Sequence, residues 1–294
     1  MIHIDSLSHD DRHAAFELAL AHVSPGDRSA RVRTCLQMLE SGQLDPRHIW
    51  IARRDDHLIG TQVCVPLGGA ASLFWLPSST DETADALLAA AFAGCRTAGC
   101  KLAQALATAE LRAWAVPLER AGFRHITRLQ QWTHSFLSMP DVPPSALRFE
   151  RYSSANARLF AATLERTYDG TLDCPELNGV RSIDEVIAGH RAQGKFHPDF
   201  WWLAYDGAEP VGVLLLVEMP DGVTWELAYL GIVSAYRGRG LGRAFVAHAL
   251  DALRVMPATR MTLAVDERNV PARRLYASCG FVPTEAHEVF LYVF

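Results

Sequence analysis

Three glycines and three arginines carry the strongest chemical signal in this chain. Residues 224–247 read TWELAYLGIVSAYRGRGLGRAFVA, in which Gly238, Gly240 and Gly242 are interleaved with Arg237, Arg239 and Arg243. Trp225 to Val233 is mostly apolar and reads as a buried strand, while Leu241, Phe245, Ala249 and Leu253 recur at helical spacing. A strand that passes into a helix through alternate glycines presents bare backbone N–H groups at the positive end of the helix dipole. That arrangement suits a phosphate or pyrophosphate, and nearby guanidinium groups reinforce it.

Two familiar phosphate loops fit poorly. A P-loop needs Lys-Ser or Lys-Thr after its last glycine, and neither dipeptide is present. The dinucleotide fingerprint GxGxxG fails because, counted from Gly238, the third glycine comes one residue early. The run Met261–Val265 is nevertheless followed by Asp266, which could serve a ribose. An NAD-dependent oxidoreductase and a plain glycine-rich turn therefore stay open as readings of the loop alone.

The elements that must hold such a loop are legible in outline. The chain has 294 residues, 49% hydrophobic and 21% charged, enough for two ordinary domains. Its formal charge of −5 argues against a general nucleic-acid binder. Met1–His13 has no basic segment followed by an apolar one, and no run approaches the roughly 20 apolar residues that cross a bilayer. Cys35, Cys64, Cys95, Cys100, Cys174 and Cys279 form no CxxC pair and no zinc spacing, so free thiols in the cytoplasm are expected. Cys95 and Cys279 fall in helical runs and read as small core residues.

The prolines of Met139–Ser145 mark a linker that nearly halves the chain. The halves resemble each other. Ile2–Leu7 matches Leu147–Tyr152 as an opening strand, His48–Gly60 matches Phe200–Gly212, and Leu118–Phe123 matches Tyr276–Phe281. The separation of Gly60 from Gly212 is nearly that of Gly122 from Gly280, as a duplicated fold requires. In the first half the equivalent loop is Leu76–Glu82. It has no glycine, and Asp81 and Glu82 stand where a phosphate would sit. Those carboxylates satisfy the next helix themselves and repel an anion. By the same offset Leu118 replaces Tyr276 and Leu111 replaces Asn269.

Arg237-x-x-Gly240-x-Gly242 after an apolar strand resembles the acyl-coenzyme A loop of the GCN5-related N-acetyltransferase (GNAT) superfamily. A second segment resembles that family too: strand Leu263–Val265, then Asn269, Ala272, Leu275-Tyr276 and Gly280-Phe281. The resemblance runs from about Leu147 to Phe294. It implies an α/β chain of two tandem acyl-CoA N-acyltransferase folds, each a mixed, mostly antiparallel sheet flanked by helices. A degenerate domain over 1–140 and a catalytic one over 146–294 are expected. One live and one decayed half, with Glu226 five residues before Gly231, resemble in architecture the mycothiol synthase branch of the family.

The activity implied is transfer of acetyl from acetyl-CoA directly to an amine of a small molecule, with no metal, nucleic acid or membrane involved. By resemblance the coenzyme falls to Leu230, Gly231 and Ile232 for its pantetheine arm, to Arg237, Gly238, Arg239, Gly240, Leu241, Gly242 and Arg243 for its pyrophosphate, and to Asn269 and Ala272. Tyr276, protonated at neutral pH, is the candidate acid for the departing thiolate. Glu226, a carboxylate in an apolar strand, is the candidate base, because burial raises its pKa toward 7. In this family the stretch corresponding to Thr167–Arg181 lines the acceptor pocket, and its Asp173 and Glu176 would attract a cationic amine. The alternatives are an acyl-CoA-binding module without catalysis, and acetylation of a peptide or protein amine. Oligomeric state is left open.

Overall fold

The computed structural model describes residues 1–136 and 146–294. The expected linker Met139–Ser145 lies outside the described residues. The first half holds β1 (His3–Ser6), α1 (Arg12–Ala19), α2 (Pro25–Glu40), β2 (Ile49–Arg54), β3 (His57–Leu67), β4 (Ala71–Phe74), α3 (Glu82–Thr97), β5 (Leu102–Ala107), α4 (Val116–Arg120) and β6 (Arg124–His134). The second repeats that order with β7 (Arg148–Arg151), α5 (Ala157–Thr167), α6 (Ile183–Ala192), β8 (Trp201–Asp206), β9 (Glu209–Glu218), β10 (Thr224–Ile232), α7 (Leu241–Leu253), β11 (Arg260–Asp266), α8 (Val270–Ser278) and β12 (Val282–Val293).

Two compact units result, and their boundaries differ from those expected at 1–140 and 146–294. The first consists of Met1–Ile126 with His287–Phe294, the second of Thr127–Ala286. The final strands are exchanged. Glu288–Val293 of β12 pair antiparallel with Leu102–Ala107 of β5, completing the first unit. Leu129–His134 of β6 pair antiparallel with Met261–Asp266 of β11, completing the second. A strand settles where an edge offers its backbone partners, and sequence neighbourhood does not decide that.

Within the second unit β7, β8, β9 and β10 are antiparallel neighbours, and β10 meets β11 in parallel. Helices cover both faces. Phe245, Ala249 and Leu253, on the stripe expected for α7, are fully buried or nearly so against Trp225, Leu227, Leu263 and Val265. On the other face Phe160, Leu164 and Ile187 of α5 and α6 close over Trp201, Leu203, Val213 and Leu215. Both layers are mainly apolar, with a few buried polar groups such as Thr163 and Thr167 of α5 among them, so hydrophobic burial fixes the strands that carry the site. The first unit has the same two layers, with α1 and α2 over Ile49, Ile51 and Val63, and α3 over Phe74, Ala103, Ala105 and Phe290. Among the described residues no helix is long and apolar enough to cross a membrane, and all six cysteines are free thiols.

Candidate active site

The glycine loop leaves β10 through one helical turn, Ser234–Tyr236, and enters α7 at Leu241. Gly238 and Gly240 have φ of +75° and +77°, in the left-handed region, and a Cβ on either would meet nothing within 4 Å. These two glycines are required by backbone conformation, and space around them is open. Gly242 differs: a Cβ there would lie 2.7 Å from Leu275 Cδ2, so it lets α7 approach α8. No side chain caps α7, which leaves its first N–H groups aimed at the loop's exposed face.

The arginines divide their labour. Arg237 does not point its guanidinium outward. Its Nε donates to the Ile232 carbonyl at 2.8 Å, Nη1 to Gly170 at 2.9 Å and Nη2 to Thr167 at 2.6 Å. It ties the end of β10 to the segment after α5. Arg239 donates to the Ala235 carbonyl and lies 4.7 Å from the Tyr236 ring centroid. Arg243 is exposed on the first turn of α7. Asn269 caps α8, its Oδ1 accepting from the Ala272 N–H at 3.2 Å, so this side chain holds the helix that carries Tyr276.

Strands β10 and β11 are paired only at Thr224, Trp225 and Glu226, opposite Arg260, Met261 and Thr262. Beyond Glu226 they part. On its other side β10 stays with β9 to Ile232, with a bulge between Leu227 and Tyr229. The bulge adds local twist and bends the strand. Leu230, Gly231 and Ile232 thus keep one backbone edge without a β11 partner, as an added strand requires. Gly231 is required by close packing: a Cβ there would come within 2.6 Å of Thr167 Oγ1 and of Tyr229 Cε1.

Glu226 stands at the point of parting. Trp225 and Leu227 face the α7 core, so alternation turns Glu226 to the α5–α6 face. It is half-buried, and burial alone raises its carboxyl above the ordinary range. Tyr276 is buried beside Phe281. Burial, and then the charge of Asp173, push its phenol well above 10, so it is a firm proton holder at neutral pH.

On the α5–α6 face lies a cavity of about 370 Å³, its lining including Asp173, Arg181, His190, Tyr168 and Tyr229. Asp173 lines this cavity; Glu226, Tyr276 and Glu176 do not. Burial, and to a lesser degree the charge of Asp266, push Asp173 up to about 6, although its Oδ1 accepts the Asp266 N–H at 2.9 Å. Glu176 departs from its expected role. Both its oxygens accept from Arg268, at 2.7 and 3.0 Å, which holds its carboxyl below the ordinary range. An ion pair this complete has little left to offer an ammonium. Arg268 also reaches Asp266 at 2.7 Å, and Asp266 is fully buried. Asp266 is therefore spoken for by Arg268 and by the Thr127 hydroxyl at 2.6 Å, and cannot serve a ribose. Donor atoms of Asp173, Cys174 and Asp266 lie within 4.8 Å of one another, yet the cation already seated there is the guanidinium.

Two side chains of the cavity, Tyr229 and His190, went unread in the sequence. Thr167 donates its hydroxyl proton to the Leu164 carbonyl at 2.5 Å, so the 2.7 Å contact between Thr167 and Tyr229 has the tyrosine as donor. The Tyr229 oxygen keeps its lone pairs for another donor. His190 lies 5.4 Å from the Tyr229 ring, and burial pushes its imidazole down to about 4, neutral at pH 7. Tyr168 packs edge-on to Tyr229. Tyr229 carried a signal, three residues past Glu226 in the same strand; His190 lies on an amphipathic helix with no motif around it.

Residues 164–281 match the acetyltransferase (GNAT) family, a stretch wholly within the second unit. The chain carries a GNAT acetyltransferase domain. Among its relatives is the mycothiol acetyltransferase of Beutenbergia cavernae, 33% identical over 135 residues, which are 45% of this chain and 40% of that protein. The mycothiol acetyltransferase of Nocardia farcinica is 29% identical over 295 residues, 90% of this chain and 88% of that one. Several matches are partial, covering less than half the relative's length. A GCN5-related N-acetyltransferase from Sphaerobacter thermophilus superposes with a TM-score of 0.62 at 15% identity, over 99% of this chain and 95% of that one. A tandem GNAT protein from the clavulanic acid biosynthesis pathway gives 0.55 at 14%, over 100% and 98%. At such identities these structures show the fold, two tandem GNAT folds. The parted strands and open helix end just described fall inside the GNAT domain, on the side of the chain that the family match covers.

Proposed function

We propose that the second unit transfers acetyl from acetyl-CoA directly to an amine of a small molecule. The observation that carries this reading is the parting of β10 from β11 after Glu226, next to an uncapped helix end behind two left-handed glycines. An extended amide-bearing arm pairs with the free edge of Leu230–Ile232, and a pyrophosphate takes the N–H groups of the loop and of Leu241 and Gly242. Arg239 and Arg243 supply charge at the rim. Arg237 acts by holding the loop to Thr167 and Gly170.

The thioester carbonyl then lies near the parting point. Glu226 takes the ammonium proton, directly or through a water, and the amine attacks the carbonyl carbon. The C–S bond breaks as the amide forms, and Tyr276 gives its proton to the departing thiolate. Burial pushes the Cys174 thiol in the cavity wall well above its ordinary pKa, which makes it a poor covalent acyl carrier and favours direct transfer. Asp173, with a pKa of about 6, is ionised at pH 7 and draws the cationic acceptor into the cavity. The resemblance to mycothiol synthase, and relatives named mycothiol acetyltransferase, make the cysteinyl amine of an aminosugar–inositol precursor the first acceptor to test. The polar groups of Asp173, His190 and Tyr229 in the cavity wall agree with a small hydroxylated amine.

A thiol-release assay with acetyl-CoA, run against that precursor, other aminosugars, polyamines, amino acids and peptides, tests the proposal. Acceptor-dependent release with at least one small amine is expected. Saturable acetyl-CoA binding with no product from any amine would leave a binding module, and turnover of peptides alone would move the acceptor class.

A further inference from the structure

The first unit keeps a cavity of its own, of about 510 Å³. It is built from the elements that correspond to those around the cavity of the second unit: the end of α1, α2, and the ends of β4 and β5. Its volume is inside the range of small-molecule sites, roughly 300–1,000 Å³. Elsewhere this unit is tightly closed, with Phe16, Ile49, Ile51 and Leu87 fully buried. Empty apolar volume costs stability in proportion to its size, so a retained cavity in a half without the glycine loop calls for an occupant.

The chemistry of the wall is one-sided. Leu20, Met38, Leu73, Trp75, Leu106 and Leu111 make it apolar, where the other cavity has Asp173, Arg181 and His190. No aspartate or glutamate lines it. Its polar groups include Arg31 and His22. Arg31 is exposed, and no acidic side chain pairs with it among the described residues. The Nδ1 of His22 is buried without a hydrogen-bond partner. Burial, then Arg31 and Arg28, push that imidazole below its ordinary pKa, so it is neutral at pH 7 and has one N–H to give. A cationic fork and a neutral donor beside an apolar chamber complement an anionic head on an apolar body.

We propose that the first unit binds a small amphipathic monocarboxylate, its carboxylate held by Arg31 and His22 and its apolar body among Leu73, Trp75 and Met38. The site makes no covalent change in its ligand. It stands independently of the acetyl transfer assigned to the second unit.

Calorimetry on the full chain with sodium decanoate, 3-phenylpropionate and decanol tests this, each run with and without saturating acetyl-CoA. One carboxylate per chain is expected, undisturbed by acetyl-CoA. The straight and aromatic acids distinguish a fatty from an aromatic natural ligand by which binds more tightly. Arg31→Gln, at an exposed position, should weaken the acid about tenfold and leave decanol unchanged. Met38→Trp should remove both ligands by filling the chamber, with circular dichroism checking that the variant folds. Acetyl transfer by both variants should match the parent chain. Absence of saturable binding, displacement by acetyl-CoA, or equal affinities for acid and alcohol before and after Arg31→Gln would each overturn the proposal.

Discussion

In the first unit β4 is four residues long and every one of them is paired with β5; in the second, β10 is nine long and only its first three meet β11. β3 and β4 pair without a break, whereas β9 and β10 carry the bulge. The helix that follows shows the same contrast. Asp81 caps α3, accepting the Thr83 N–H at 2.9 Å, and α7 begins at Gly240 with no side-chain cap. Glu82, expected to share the cap, pairs with Arg54 instead. The first unit pairs all of β4 with β5 and caps α3 with its own Asp81. The other has left backbone donors and acceptors open, at a cost in stability of about 1 kcal/mol for the missing cap alone. Duplicated scaffolds thus diverge less in their cores than in which polar groups they leave unanswered.

Four measurements press on that contrast. The largest effect is expected at Tyr276, whose counterpart in the first unit is Leu118. Tyr276→Phe keeps the ring in its core position and removes the proton, so kcat should fall about 10²-fold with coenzyme affinity little changed. A variant with full rate would return Tyr276 to packing alone.

Calorimetry should find one acetyl-CoA per chain. Gly240→Val forces a β-branched residue into left-handed backbone, and affinity should drop about tenfold or more from conformational strain. Two coenzymes per chain would erase the contrast between the loops.

The carboxylates separate by pH. Asp173 loses its charge as pH falls through about 6, so affinity for a cationic acceptor should weaken below that pH, and Asp173→Asn should flatten the dependence. Glu226→Gln should instead lower kcat and shift the acidic limb of its profile. If the limb follows only the pKa of the amine and ignores both substitutions, neither carboxylate handles the proton.

The smallest effect belongs to the first unit. Asp81→Ala should cost about 1 kcal/mol in denaturant unfolding and leave acetyl transfer unchanged. A matching loss of activity would show the first unit's helix to be part of the catalyst.

Much of this was legible in the sequence, and the parts that were not share a cause. The loop, β10 and α7 are written in consecutive residues: alternate glycines, an apolar run, a 3.6-residue stripe. So is the cap of α3. The cavity is assembled from β6, α5, α6 and the segment between them, β10 and β11, so His190 and Tyr229 meet with no local motif between them. Glu176 looked like a ligand for an amine because its partner, Arg268, is 92 residues away. The exchange of β6 and β12 was hidden for a related reason: alternation marks a strand and says nothing of the edge it will join.

That exchange sets a timetable for the newborn chain. A domain made first is ordinarily free to fold first, while the ribosome is still at work on the next. Here the first unit has its α-helices and five strands early, yet β5 waits for residues 288–293. Until they emerge its edge stands open to any passing strand. The first unit is thereby the last to close, and its completion requires that residues 127–286 of the second have already been made.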